Sequence, residues 1–301
     1  METDNNGKIL VTGCSGFVGN HLVQELIKRK YPIIGISRST KPVITLNKKY
    51  FKHYTCDLAD IKGLKEIFQK EKISSVLHIA AKVPKNFNET QPGSFDVNPQ
   101  TTSNLLKLSK EFKVKKFIYS SSMSVYGTPK HIPIDENHPK EPIEDYGKSK
   151  LEGEKLCETY KEDMDIIILR YAGVFGEGKE DGAIYNFIKN AKENKPITVT
   201  GDGSQTHDFV DVKDIVQANI LALELPDEKN PRIFNIGSGN EISIKFLVKK
   251  IKESLNSSSE VIYKKENIQK KRFLLDITKA KSILNYSPTP IGTSLKRLIG
   301  N

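Results

Sequence analysis

Tyr146 and Lys150 stand four residues apart in Tyr146-Gly147-Lys148-Ser149-Lys150. On a helix that spacing places both side chains on one face, one turn from each other. An ammonium so close favours a phenolate and can draw a tyrosine from its ordinary value of roughly 10 towards neutrality. Tyr146 is therefore a candidate general acid/base for moving a proton on or off a carbinol oxygen. The same spacing also occurs on solvated helices that do no chemistry. Its weight here comes from a serine cluster upstream, Ser120-Ser121-Ser122-Met123-Ser124, and from a glycine-rich loop near the N-terminus.

That loop is Gly13-Cys14-Ser15-Gly16-Phe17-Val18-Gly19, directly after the apolar run Ile9-Leu10-Val11-Thr12. Three glycines at this spacing permit a tight turn, a close backbone approach and close packing of helix on strand. The N–H groups of the following helix then point at a pyrophosphate. Gly13, Ser15, Gly16, Phe17, Val18 and Gly19 are the candidate dinucleotide contacts. The end of the second strand decides which dinucleotide fits, because an acidic residue there accepts from the ribose 2′-OH and an arginine accommodates a 2′-phosphate. This chain has Ser37-Arg38-Ser39 and no carboxylate there. Arg38 thus favours NADP(H), with NAD(H) the alternative. Asp57, followed by Leu58, is placed to accept from the adenine amino group.

Short β-branched runs alternate with helical periodicity through the first two-thirds of the chain. Strands are expected at 9–12, 32–37, 51–56, 75–80, 116–121, 165–171 and 233–236. Helices are expected at 20–30, 64–71, 101–112, 146–160, 183–193, 212–225 and 244–255. Such alternation means an α/β fold of Rossmann type, a doubly wound parallel sheet covered on both faces. Beyond about residue 173 the pattern loosens and charge increases, which fits a smaller C-terminal α/β lobe. The expected domains are a dinucleotide-binding domain over 1–173 plus 212–237 and a substrate-binding lobe over 174–211 plus 238–301. In such a sheet, ligands sit at the carboxyl ends of the strands, where the serines around Ser122 end strand five.

The chain has 301 residues, 37% of them hydrophobic, enough for a full core. No apolar run approaches the ~18–20 residues that cross a membrane, and the polar first eight residues do not resemble a secretion signal. Cys14, Cys56 and Cys157 are scattered without metal-type spacing, so no metal is expected and reduced thiols in the cytoplasm are. The net charge is +10. Its densest stretches, at Lys249-Lys250, Lys264-Lys265 and Lys270 to Arg272, carry no interleaved aromatic stripe. A nucleic-acid partner is not expected, and an anionic small substrate explains the charge as well.

With the glycine loop, the serine-rich strand end and the Tyr146/Lys150 pair in this order, the chain resembles the extended short-chain dehydrogenase/reductases. More narrowly, it resembles their nucleotide-sugar epimerase/dehydratase branch. The likeness extends through His78-Ile79-Ala80-Ala81, Asn98 and Leu169-Arg170-Tyr171, then through 196–205 and Asp208-Phe209-Val210-Asp211-Val212-Lys213-Asp214. It implies that Ser122 polarises the sugar oxygen, Tyr146 transfers the proton and Lys150 also holds the nicotinamide ribose. It adds Ala80, Ala81 and Tyr171 to the cofactor contacts. It further implies a nucleotide-sugar substrate and a homodimer built through 101–112 and 146–160. Leu105, Leu108, Leu151 and Leu156 on those helices suit either such an interface or the core.

Three departures narrow the resemblance. Dehydratases of the family carry an Asp-Glu pair where this chain has Met123 and Ser124, and neither can act as a carboxyl acid or base. Sugar dehydration is therefore not expected. His207 stands where many relatives have an arginine for the diphosphate, and Gly173 where many have an asparagine. Arg272 is a candidate second phosphate ligand. The reading that Arg38 favours is 4-keto reduction, and the alternative is 4-epimerisation with NAD retained. A non-enzymatic dinucleotide sensor is the remote third, since fold alone does not exclude it.

Overall fold

The computed structural model describes residues 7–39, 49–83, 95–228, 230, 232–264 and 272–300. Of the basic stretches, Lys265, Lys270 and Lys271 lie outside them. In chain order the elements are β1 (Lys8–Thr12), α1 (Phe17–Lys28), β2 (Ile33–Ser37), β3 (Phe51–Thr55), α2 (Ile61–Lys70), β4 (Ile73–His78) and α3 (Val97–Glu111). Next come β5 (Lys116–Ser122), a one-turn 3-10 segment (Met123–Tyr126), α4 (Asp145–Glu158), β6 (Asp165–Tyr171), β7 (Gly173–Phe175), α5 (Gly182–Lys192) and β8 (Ile197–Thr200). The remainder is β9 (Thr206–His207), β10 (Phe209–Asp211), α6 (Val212–Glu224), β11 (Arg232–Ile236), β12 (Ile242–Ser243), α7 (Ile244–Leu255), β13 (Val261–Lys264), α8 (Thr278–Leu284) and α9 (Ile291–Gly300).

Seven strands form one sheet in the order β11-β6-β5-β4-β1-β2-β3. β1 runs parallel to β2 and β4, β2 to β3 and β4 to β5. β2 and β6 are buried along their whole length, which is why Ile33–Ile36 and Ile166–Leu169 read as apolar runs. The strand order reverses between β1 and β4, so the carboxyl ends of these two strands flank the crevice where such sheets bind ligands.

Several boundaries differ from expectation by a few residues, those of α1, α2 and β4 among them. α1 begins at Phe17, not residue 20, so Phe17, Val18 and Gly19 occupy its first turn. α2 begins at Ile61, because the Asp60 carboxylate caps it, accepting from the Lys62 and Gly63 N–H groups at 3.1 Å each. β4 ends at His78, which leaves Ile79, Ala80 and Ala81 in the connection beyond it.

The chain separates into two compact units. The first comprises Met1–Gly127, Lys140–Arg170 and Val216–Phe234, and the second Thr128–Pro139, Tyr171–Ile215 and Asn235–Asn301. Thr128–Pro139 goes with the second because Ile134 adds to it as a strand would. Its N–H donates to Leu274 O at 2.8 Å, and its carbonyl accepts from Asp276 N at 2.8 Å and from the Asn235 amide at 2.9 Å.

The core of the first unit gathers Leu10, Ile34, Val76, Phe117 and Ile168 from the sheet with Leu64, Leu105 and Leu108 from helices. Leu105 and Leu108 are thereby committed to the core, and Leu156 packs against it. Leu151 is half-buried, and α4 turns Lys148, Glu152, Lys155 and Glu158 to solvent. In the second unit α5, α7 and α9 pack Phe187, Leu247, Ile251 and Leu295 around three small sheets, β7–β10, β9–β12 and β8–β13. No helix of the described residues is long and apolar enough to cross a membrane.

Candidate active site

The glycine loop is shaped by contacts that admit no side chain. Gly13 has φ +66°, and a Cβ there would lie 2.9 Å from the Ala80 Cα. A Cβ on Gly19 would fall 2.1 Å from the Gly13 carbonyl oxygen, so the loop folds directly onto the first turn of α1. Gly16 is the N-cap, and its lack of a side chain leaves the amide end of α1 uncapped, with Ser15 and Gly16 exposed. A helix start without a side-chain cap and a backbone approachable without side chains fits the pyrophosphate of a dinucleotide. Gly19→Ala is expected to force the loop off α1 and weaken NAD binding at least about tenfold, with a lower melting temperature. Fluorescence titration with NAD(H) and thermal denaturation measure both.

Arg38 is exposed just beyond β2, while the Ser37 hydroxyl turns inward, donating to Ser39 O at 3.0 Å and lying 2.9 Å from His53 Nε2. Asp57 is exposed, with Oδ1 accepting from Ala59 N at 2.9 Å, and Leu58 is buried beneath it. The carboxyl ends of β2 and β3 therefore present Arg38 and Asp57 as the sequence order suggests.

A buried chain of hydrogen bonds runs from β1 to α4. The Thr102 hydroxyl donates to Asn98 O at 2.8 Å, so its oxygen accepts from His78 Nε2 at 3.0 Å. That assigns the proton to Nε2 and makes Nδ1 the acceptor for the Thr12 hydroxyl, 2.8 Å away. Thr12 Oγ1 in turn accepts from Ala80 N at 3.1 Å. Burial, with a smaller push from the Lys150 charge, lowers His78 to about 3, so the ring is a neutral strut. Asn98 clasps Lys82 through both backbone atoms and donates to Ser149 Oγ at 3.0 Å; Ser149 donates to the Tyr146 carbonyl at 2.8 Å. The loop after β4, which carries Ala80 and Ala81, is thus held in register with the start of α4. Thr12, Thr102 and Ser149 drew no attention in the sequence, because single hydroxyls give no periodic signal.

Tyr146 is half-buried at the first turn of α4 and meets the Phe95 ring edge-on at 5.8 Å. Its neighbour Gly147 permits this, since a Cβ there would lie 2.5 Å from Ser124 O. The first turn of α4 therefore closes on the 3-10 turn that follows Ser122. Ser122 is the N-cap of that turn: its oxygen accepts from Ser124 N at 3.2 Å, and its hydroxyl donates to Ser124 Oγ at 3.2 Å. Ser122 and Tyr146 are thus brought to adjoining turns at the carboxyl end of β5.

The Lys150 ammonium lies 5.9 Å from the Tyr146 ring centre and 5.0 Å from that of Tyr119, and donates to Ser120 O at 2.7 Å. At about 6 Å and an effective dielectric near 20, a unit charge is worth roughly 3 kcal/mol to a phenolate. Burial lowers Lys150 itself to about 8, opposed by attraction to Cys157 and Glu154. One turn beyond Lys150, the Glu154 carboxylate forms a buried ion pair with Arg170, at 2.7 Å. The sequence shows this only as Lys150 extended by a further four residues.

The remaining candidates lie in the second unit. Tyr171 is buried at the end of β6. Gly173 opens β7, and its N–H donates to Asp208 O at 3.1 Å. Its backbone N–H is therefore already engaged beside the β7–β10 pairing. His207, on β9, stacks on Phe273 with ring centres 6.1 Å apart. Arg272 bridges to Thr206 and sets its guanidinium on Glu241, Nε at 2.6 Å and Nη2 at 2.7 Å, with the side chain 59% exposed. His207 and Arg272 thus come together on adjoining strands, but the arginine arrives with its charge already matched.

Comparison with known proteins places this geometry. Residues 9–237 match the model of the NAD dependent epimerase/dehydratase family. A UDP-glucuronate 4-epimerase of Thermodesulfobacterium geofontis is 33% identical over 316 residues, covering 97% of this chain and 95% of that protein. The UDP-glucose 4-epimerase of Thermotoga maritima, solved with UDP-glucose, superposes with a TM-score of 0.88 at 31% identity, covering 97% of each chain. The UDP-glucuronic acid 4-epimerase of Bacillus cereus, solved with UDP-glucuronic acid and NAD, gives 0.87 at 32% identity, covering 97% of this chain and 98% of that one. With the family model spanning most of its length, the chain belongs to the NAD-dependent epimerase/dehydratase family, within the extended short-chain dehydrogenase/reductases.

Proposed function

We propose that this protein is an NAD-dependent 4-epimerase of a UDP-sugar. The observation that carries the reading is the seating of Tyr146 beside the Ser122 turn with the Lys150 ammonium buried behind it. The relatives and neighbours reported above, epimerases by name, support epimerisation over the 4-keto reduction that Arg38 suggested. The NAD held by the Bacillus cereus enzyme supports NAD over NADP. Arg38, exposed to solvent, is then a surface cation near the adenosine end and not a determinant of cofactor choice.

In this reading the first unit binds the dinucleotide and the second the nucleotide sugar. The glycine loop and the start of α1 receive the pyrophosphate. NAD, when bound, supplies reversible hydride exchange with the sugar carbon. The chain's own residues handle the proton. Tyr146 takes it from the sugar 4-hydroxyl as the carbon is oxidised and returns it when the ketone is reduced on its other face. Ser122 donates to the same oxygen, and Lys150 stabilises the phenolate that takes the proton and is restored when the proton is returned. Met123 and Ser124 offer no acid or base for loss of water, so the cycle ends as an epimer.

The test uses purified protein without added nucleotide. Acid release should yield close to one NAD per chain, and UDP-glucose or UDP-glucuronate should reach a mixture of C4 epimers, followed by proton NMR. Consumption of NADPH in step with product would sink the epimerase reading in favour of the reductase.

A further inference from the structure

Glu154 is a buried carboxylate with no part in the proton transfer just described. It lies on α4 one turn beyond Lys150 and two beyond Tyr146, on the same face, and its side chain is 1% exposed. Oε1 accepts from Ser121 Oγ at 2.5 Å and from Arg170 Nε at 2.9 Å, while Oε2 accepts from Arg170 Nη2 at 2.7 Å. Arg170, fully buried at the end of β6, spends its other arm on Tyr126: Nη1 donates to the phenol oxygen at 2.8 Å, and the guanidinium sits 5.0 Å from the ring centre.

These partners are adjacent to the site in sequence. Ser121 immediately precedes Ser122, and Tyr126 is the last residue of the turn that Ser122 caps. Segment 121–126 is therefore tied at both ends to one ion pair, while Ser120, just before it, is tied to Lys150. A buried ion pair is a poor means of gaining stability, since taking each ion out of water costs several kcal/mol and apolar residues of equal volume often do as well. What apolar residues could not do is hold two oxygens, one on each side of Ser122, at fixed distances from the helix carrying Tyr146.

We propose that the Glu154–Arg170 pair is a positioning clamp for the catalytic hydroxyl, fixing Ser122 against Tyr146 through Ser121 and Tyr126. The proposal rests on the reading of Ser122 and Tyr146 as the catalytic pair. The clamp also touches the charge balance of the site. The Lys150 ammonium is faced by His78 from β4, Tyr119 from β5, and Tyr146, Glu154 and Cys157 from its own helix. Glu154 attracts it, and Arg170 pairs with that carboxylate in the interior.

Ser121→Ala and Tyr126→Phe each cut one tie without changing charge. Each is expected to lower kcat about tenfold, the weight of one hydrogen bond to a charged group, with KM for the UDP-sugar and bound NAD content unchanged. Glu154→Gln keeps the shape but removes the charge that attracts Lys150. The alkaline limb of its kcat–pH profile is expected to move about one unit lower, a displacement that mere loosening of the fold would not produce. Wild-type kcat in both tie variants, or a folded Glu154→Gln protein with an unmoved profile, overturns the clamp and leaves the epimerase reading standing. Failure of the wild-type protein to convert either UDP-glucose or UDP-glucuronate removes the epimerase reading, and the clamp with it.

Discussion

Tyr146→Phe is expected to lower kcat for C4 epimerisation by about 10²–10⁴-fold, the usual contribution of a positioned acid/base, while NAD remains bound. The phenylalanine keeps the edge-on contact with Phe95. The hydrogen bond from Ser149 reaches the backbone carbonyl at residue 146 and survives the change. Lys150 keeps its partner, the Ser120 carbonyl. What disappears is the oxygen that, in the proposed mechanism, takes a proton from the sugar and returns it. Because no packing is lost, the melting temperature should stay within a few degrees of wild type. Proton NMR of UDP-glucose or UDP-glucuronate, sampled over hours, resolves a loss of this size. A variant within a few-fold of wild type would show that the proton leaves by another route, and Tyr146 would revert to a structural residue.

The sheet was legible because a parallel strand buried on both faces is apolar over most of its length, as Ile33–Ile36 of β2 and Ile166–Leu169 of β6 are. The candidate site in the first unit was legible where the proposed chemistry asks for a residue type at a spacing, as with Gly13 and Gly19, Ser122, or Tyr146 and Lys150. The network behind it was not. Thr12, Thr102 and Ser149 act through contacts made 24 to 68 residues apart in the chain, and no local pattern encodes such pairing. Arg38 shows a related limit: its charge can be read from sequence, but its exposure and the inward turn of Ser37 cannot. Arg272 was singled out as a cation for phosphate, yet Glu241, far off in sequence, already occupies its guanidinium. Gly173, which stands where many relatives have an asparagine, has its N–H taken by the carbonyl of Asp208.

Asp208 itself entered only as part of a family motif, and its surroundings make it the residue whose loss should cost the second unit most. It is fully buried. Oδ1 accepts from the Ser238 N–H and hydroxyl, both at 2.7 Å, and Oδ2 from Gly239 N at 3.2 Å and Leu275 N at 3.3 Å. All four partners are donors. Burial pushes the carboxyl up to about 6 against their pull, so at neutral pH it is the anion that meets them. An asparagine of the same shape would present its NH2 either to the Gly239 and Leu275 N–H groups or, turned over, to the Ser238 N–H and a hydroxyl that can turn to accept. Even in the second orientation one buried donor loses its acceptor, at about 1–3 kcal/mol, and the other bonds lose their charge, so Asp208→Asn is expected to lose roughly 2–4 kcal/mol. At about 2–4 °C per kcal/mol for a protein of this size, the melting temperature should fall by roughly 10 °C. A glutamate is no rescue, because a Cβ placed on Gly237 would already lie 2.5 Å from Oδ2, which shows how little room remains there. His207→Ala, one residue earlier on a half-buried strand, should by contrast move the melting temperature by only a few degrees while raising KM for the UDP-sugar. If Asp208→Asn melts with the wild type and His207→Ala leaves KM unchanged, then this segment serves neither the fold nor the substrate in the way its hydrogen bonds imply.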